Sequence, residues 1–106
     1  MARYELRFQI PERRLGEPAS YQAFTRTVDR CMQIKGKAMN GAKVVDVHVT
    51  GGSLFGSIAI EADTYESALG LVCRETPVIQ LEWHLEEEVS PARTAEFLQE
   101  AIKQAK

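Results

Sequence analysis

The chain has 106 residues and a formal net charge of −2, with 44% hydrophobic and 26% charged residues. This length suits one domain over 1–106, and the composition is ordinary for a globular protein. No apolar run reaches the roughly 18 residues that a membrane helix needs, and the N-terminus has no signal-peptide block. We therefore expect a cytoplasmic protein with no membrane partner.

The first half of the chain predicts one strand and one helix. Residues 3–10 alternate between apolar and polar side chains, which is typical of a half-buried strand, and Pro11 ends it. Pro18 suits the first turn of a helix over about 18–35, and Gly36 ends that helix. Its apolar residues recur at helical spacing: Tyr21, Phe24, Val28, Cys31 and Met32.

The second half predicts three strands and two helices. Alternating runs over about 43–50 and 53–62 meet at Gly51-Gly52, a two-residue hairpin signal. A helix over about 64–75 follows, with Asp63 and Glu66 at capping-box spacing. Its apolar stripe consists of Ala68, Leu69, Val72 and Cys73. A fourth strand covers about 78–87, and Ser90-Pro91 begins a third helix with Leu98, Ile102 and Ala105 on one side.

All four strands alternate in the same way, so the sheet has one apolar face and one polar face. The apolar face would hold valines 45, 47 and 49 of the second strand, together with Ile79, Leu81, Trp83 and Leu85 of the fourth. The other face would hold Arg3, Glu5, Arg7, His48, Phe55, Ser57, Ala59, Glu82 and His84. The order β-α-β-β-α-β plus one helix predicts an α+β, ferredoxin-like domain. Its four-stranded antiparallel sheet has strands two and four at the edges.

The stretch 56–69, Gly-Ser-Ile-Ala-Ile-Glu-Ala-Asp-Thr-Tyr-Glu-Ser-Ala-Leu, resembles the third strand and second helix of dimeric α+β barrel proteins. Muconolactone isomerase-like and YCII-like proteins are the nearest relatives we would name. The resemblance covers about residues 41–88 and implies a homodimer whose two sheets pack face to face. YCII-like proteins carry Asp-Pro after the second helix, where this chain has Thr76-Pro77, so no catalytic residue is carried over.

The polar face holds the candidates for chemistry. His48, with Asp46 two residues away, is the candidate catalytic pair, since an imidazole titrates near neutral pH. The candidate ligand-binding residues are Arg3, Arg7, Phe55, Ser57 and His84. The two arginines could bind a carboxylate or phosphate, or they could make cross-strand ion pairs with nearby glutamates. No zinc spacing or phosphate-cradling loop is present, so we expect no metal and no cofactor.

The charges are distributed unevenly between the two halves of the chain. Residues 1–50 carry nine Lys or Arg against five Asp or Glu, and residues 51–106 carry four against ten. These opposed patches could assist the docking of two copies, or they could be a solvated surface with no role. Both cysteines, Cys31 and Cys73, fall on predicted apolar helix faces and are expected to be buried free thiols.

The strand order is shared with RNA-recognition domains, but the first strand offers no aromatic platform, so we expect no nucleic-acid partner. Two other classes of function remain open. The leading hypothesis is a homodimer that binds a small organic acid or lactone, with cofactor-independent isomerase or oxygenase chemistry if it is an enzyme. The alternative is a non-catalytic interaction or regulatory module, in which the polar face is only a subunit interface.

Overall fold

The computed structural model describes residues 1–52 and 54–105. The strands are β1 Ala2–Gln9, β2 Ala42–Thr50, β3 Phe55–Ala62 and β4 Glu82–Glu87, and the helices are α1 Pro18–Ile34, α2 Tyr65–Glu75 and α3 Pro91–Gln104. The strands form one antiparallel sheet in the order β2-β3-β1-β4. The predicted α+β class with a four-stranded antiparallel sheet is confirmed, and the arrangement is compatible with a ferredoxin-like fold.

One face of the sheet forms the core with α1 and α2. The inward side chains of the central strands, such as Leu6 and Phe8 of β1 and Ile58 and Ile60 of β3, are fully buried. They belong to the same apolar cluster as the buried residues of both helices. The opposite face, called here the open face, has no helix packed against it within the described residues, because α1 and α2 both bury their apolar sides in that one cluster and no residue of α3 is buried.

Strand β2 contains a bulge that the alternation does not reveal. Val44 lies opposite Ile60, and the next paired residue is Asp46, so Val45 is the extra residue. The fully buried residue is therefore Val44, and the prediction that Val45 faces the core is wrong. A classic bulge sets two residues of one strand against one residue of its neighbour. Beyond Val45 the predicted alternation holds again, with Asp46 and His48 opposite the open-face residues Ala59 and Ser57.

The connection between β2 and β3 is longer than the two residues predicted. Thr50 lies opposite Phe55, so the strands are joined through positions 51–54. Leu54 adopts a positive φ of 50° and precedes β3 instead of lying within it. Ser53, predicted as the first residue of the third strand, lies outside the described residues.

The buried sides of α1 and α2 are rotated from the predicted stripes. In α1 the buried residues are Ser20, Ala23, Phe24, Thr27, Cys31 and Ile34, whereas Met32 and Tyr21 are exposed. Thr27 is tolerated in the core because its hydroxyl donates to the carbonyl of Ala23 at 2.8 Å, which satisfies a buried polar group.

The two cysteines differ in their surroundings. Cys31 is buried, as predicted, and burial raises the pKa of its thiol to about 12. Cys73 is exposed, so its predicted burial is wrong. The buried residues of α2 are Ala68, Leu71 and Val72. Leu71 is not part of the predicted stripe, which has Leu69 and Cys73 beside Ala68 and Val72.

Strand β4 and helix α2 each begin later than predicted. Residues Val78–Gln80 form a short 3-10 turn after Pro77, and this turn leaves Ile79 79% exposed instead of facing the core. Helix α2 is capped by Thr64, whose hydroxyl accepts from the backbone N–H of Ser67 at 3.1 Å. The capping box predicted for Asp63 and Glu66 is therefore wrong.

Helix α3 lies apart from this body. Ser90 caps it, as predicted, by accepting from the backbone N–H of Arg93 at 3.2 Å. No residue of α3 is buried. None of the helices in the described part of the chain is long and apolar enough to cross a membrane.

Candidate functional site

A row of four polar residues crosses the open face from edge to edge. His48 of β2 lies opposite Ser57 of β3, Ser57 lies opposite Arg7 of β1, and Arg7 lies opposite His84 of β4. Because neighbouring strands are about 4.8 Å apart, the two histidines are separated by about 14 Å along the row. They do not share a site.

Two further rows flank this one, because directly opposed residues of antiparallel strands share a face. One consists of Thr50, Phe55, Gln9 and Glu82, and the other consists of Asp46, Ala59, Glu5 and Glu86. The open face therefore carries charged groups of both signs, with two small apolar patches at Phe55 and Ala59.

Arg7 lies near the centre of this face and is held between two carboxylates. Its Nε lies 3.1 Å from Oε1 of Glu5, and its Nη2 donates to Oε2 of Glu86 at 3.4 Å. Ser57 donates to the other oxygen of Glu5 at 3.2 Å. These side chains are about half exposed, so the pairs add little stability but orient the guanidinium. A guanidinium has five N–H donors, so donors remain for a ligand.

A depression of about 310 Å³ lies beside Arg7, towards β4. It is lined by Arg7, Phe8, Gln9, Phe55, Glu82, His84 and Glu86. The side chain of Gln9 donates to Glu82 at 3.0 Å, which fixes one part of the rim. The depression therefore combines a cation, an imidazole, an aromatic ring and two carboxylates.

Asp46 and His48 form a close pair at the other edge of the sheet. Oδ2 of Asp46 is 2.8 Å from Nε2 of His48, and Oδ1 accepts from the backbone N–H of Val47 at 2.9 Å. That backbone donor is the main reason that the pKa of Asp46 is lowered, and His48 and Lys35 act in the same direction. The His48 side chain is 72% exposed.

The structure brings together some of the predicted site residues and separates others. Arg7, Phe55 and His84 share the depression. The depression is not lined by Asp46, His48, Ser57 or Arg3. Arg3 instead pairs with Glu88 at 3.0 Å. Sequence reasoning missed Gln9 as a lining residue, although the alternation that puts Arg7 on the open face also puts Gln9 there.

The arrangement offers acid–base and hydrogen-bonding groups. Among residues 1–52 and 54–105, no three His, Cys, Asp or Glu side chains lie close enough together to hold a metal ion. A scan of the sequence against known protein families finds no match, and a search of curated proteins finds no significantly similar sequence.

Proposed function

We propose that this protein is a homodimer of the dimeric α+β barrel type that binds a small organic acid or lactone. The open face of one copy lies against the open face of a second, and the ligand occupies the depression beside Arg7. The observation that carries this proposal is the convergence of Arg7, His84 and Phe55 on one depression, in a face that no helix covers in the described part of the chain.

The chemistry of the open face supports a second sheet as its cover. The face carries charges of both signs, with Arg3 and Arg7 on either side of Glu5 along β1, so two copies can set positive groups against negative ones, and such complementarity favours correct docking. The depression is open to solvent in a single copy, whereas ligand sites bury most of the ligand surface. A covering sheet would supply the missing wall.

The lining limits the class of ligand. A volume of about 310 Å³ is at the small end of the roughly 300–1,000 Å³ typical of ligand sites. The unused donors of Arg7 suit a carboxylate or carbonyl oxygen, and the ring of Phe55 suits an apolar carbon skeleton. Glu82 and Glu86 would repel a multiply charged anion such as a polyphosphate. A monoacid or a neutral lactone meets these requirements.

As an enzyme, the protein would catalyse a cofactor-independent isomerisation or oxygenation in which a side chain moves a proton. His48, held by Asp46, and His84, within the depression, are the candidate groups. The alternative, a non-catalytic interaction module, is favoured by two observations. The Asp46–His48 pair does not line the depression, and Arg7 is already paired with two carboxylates.

The proposal is tested by thermal shift with a panel of small organic acids and lactones. We expect at least one compound to raise the melting temperature of the wild type, since a ligand that binds only the folded state stabilises it. Arg7→Gln is expected to weaken its affinity by about tenfold or more, because a charge-assisted hydrogen bond is lost.

Arg3→Gln is the matched control, since Arg3 is an ion-paired arginine of the same strand that does not line the depression. It should retain the affinity of the wild type. Equal losses in the two variants would contradict a site at Arg7. A wild type that binds no member of the panel would favour the interaction module.

A further inference from the structure

Helix α3 presents a continuous apolar side that none of the residues 1–52 and 54–105 covers. Phe97, Leu98 and Ile102 are 56%, 61% and 61% exposed. At 100° per residue, they and the alanines at 95, 101 and 105 occupy an arc of about 160°. Every residue of the helix is exposed, although the arc is as wide as that of a helix packed on a core.

The helix has few sources of stability of its own. It has 14 residues, and an isolated helix of about that length is marginal in water. Its local support includes the Ser90 cap, a hydrogen bond from the Thr94 hydroxyl to the carbonyl of Ser90 at 3.1 Å, and a contact in which Arg93 lies 5.4 Å from the ring centroid of Phe97. Most helical stability in proteins comes from packing an apolar side, and the apolar side of α3 packs on no described part of its own chain.

The charges of α3 indicate what kind of surface this is. The polar side carries Glu96, Glu100 and Lys103, and Arg93 lies at its margin, so the helix has no net charge. Helices that lie on membranes are rich in Lys and Arg on the polar side, and α3 is not. A protein surface of matching apolar character is the better partner.

We propose that α3 is a self-association surface whose apolar side packs against α3 of a second copy. In a two-fold dimer the same patch on each copy meets itself, and α3 carries three large exposed apolar side chains within six residues. Glu96, Glu100 and Lys103 lie on the far side of the helix and would remain in water. The open face, in contrast, is too charged to receive an apolar helix.

The areas agree with this assignment, which rests on the homodimer proposed above. A helix of 14 residues offers a strip of about 21 by 10 Å, or about 210 Å². The open face offers roughly 500 Å², from strands of about 26 Å that lie about 4.8 Å apart. A standard interface buries about 800 Å² per partner. Neither surface alone approaches that value, whereas the two together come close to it.

The first test compares two double variants of the full chain by sedimentation equilibrium. Leu98→Glu with Ile102→Glu places two charges on the apolar side, and Ala92→Glu with Gln99→Glu places the same charges on the polar side. We expect the first to raise the dimer dissociation constant by about 30-fold or more, because charges would be desolvated at the interface, and the second to leave it within about threefold. Equal dissociation constants for the two variants would overturn the proposal.

Misfolding does not obscure this test, because α3 buries nothing in the core. The main melting transition should be retained in both variants at a protein concentration where both are monomeric. Failure here is also separable from failure of the proposed function. Loss of the dimer in the α3 variant, with no ligand found for the wild type, would sustain the α3 contact and refute the ligand site. The converse result would refute the α3 contact alone.

A distance measurement shows whether α3 of the second copy is what packs against α3. A spin label at Gln99→Cys, in a Cys73→Ser background, reports on α3 alone, since Cys31 is buried. Packed helices lie about 8–10 Å apart, so we expect an interspin distance below about 25 Å in the dimer. A dimer with longer interspin distances, or binding of the wild type to anionic vesicles through α3, would overturn the pairing of the two helices.

Discussion

Replacing Leu6 with alanine is expected to lower the free energy of unfolding by about 2–5 kcal/mol, the range for truncating a large aliphatic side chain in a core. Leu6 is fully buried in the central strand β1, with Ile58 opposite it on one side and Leu85 on the other. Leu6 and these two neighbours belong to three strands of one sheet, so the site cannot collapse easily around the cavity. Urea unfolding followed by circular dichroism measures the loss.

The neighbouring residue is the control for this substitution. Arg7→Ala removes a larger side chain from the same strand, but from the open face, where its ion pairs are about half exposed. We expect it to cost less than about 1 kcal/mol. If Arg7→Ala were as destabilising as Leu6→Ala, the assignment of the two faces of β1 would be wrong.

Replacing Gly56 with alanine is expected to cost about 3 kcal/mol, at the upper end of the range for overpacking a core. The ring of Phe8 lies directly over Gly56, and an added Cβ would be 2.2 Å from the Cζ atom of that ring. The ring is buried and in contact with Phe24 at a centroid distance of 5.2 Å, so it cannot move aside without disturbing α1. Thermal and urea melts measure the effect.

Two further variants test this explanation of Gly56. Gly51→Ala, at a position where an added Cβ meets nothing within 4 Å, should change stability by less than about 0.5 kcal/mol. Phe8→Leu should be less harmful in the Gly56→Ala background than in the wild type, because the smaller side chain relieves the clash. Additive effects would show that the cost of alanine at position 56 does not arise from the ring.

Much of this fold was predictable because the strands repeat with a period of two. In β1 the alternation alone places Leu6 and Phe8 inside and Arg7 outside, as observed. The proline at position 91 and the serine before it likewise predict where α3 begins. These features depend on local backbone geometry, which a single sequence reports directly.

The sequence-based predictions fail where contacts with other parts of the structure override the local sequence pattern. The bulge at Val45 depends on the pairing of β2 with β3, which is not encoded in the β2 pattern. The exposure of Ile79 follows from the turn after Pro77, although its position fits the alternation. In α1 the polar residue Thr27 is buried because it finds an acceptor one turn back, so a search for apolar residues misplaces the stripe.

The candidate site was only partly predictable for a related reason. The alternation puts both histidines on the open face, and the predicted edge positions of strands two and four already separate them, but neither pattern shows which residues share a depression. The order β2-β3-β1-β4 places His48 and His84 at opposite edges, and only His84 lines the depression with Arg7. The alternation alone also gave no sign that the apolar side of α3 would lie free of the core.

If a second copy covers the open face, as proposed, the molecular mass in solution reveals it. Ala59 lies opposite Glu5 and Asp46 on that face, so Ala59→Arg would meet carboxylates within its own chain and leave folding intact. Its long side chain would hold a second sheet away. By sedimentation at about 50 µM we expect a dimer for the wild type, and a dimer dissociation constant raised by about tenfold or more for Ala59→Arg. A monomeric wild type, or an Ala59→Arg dimer as tight as the wild type, would contradict the proposal.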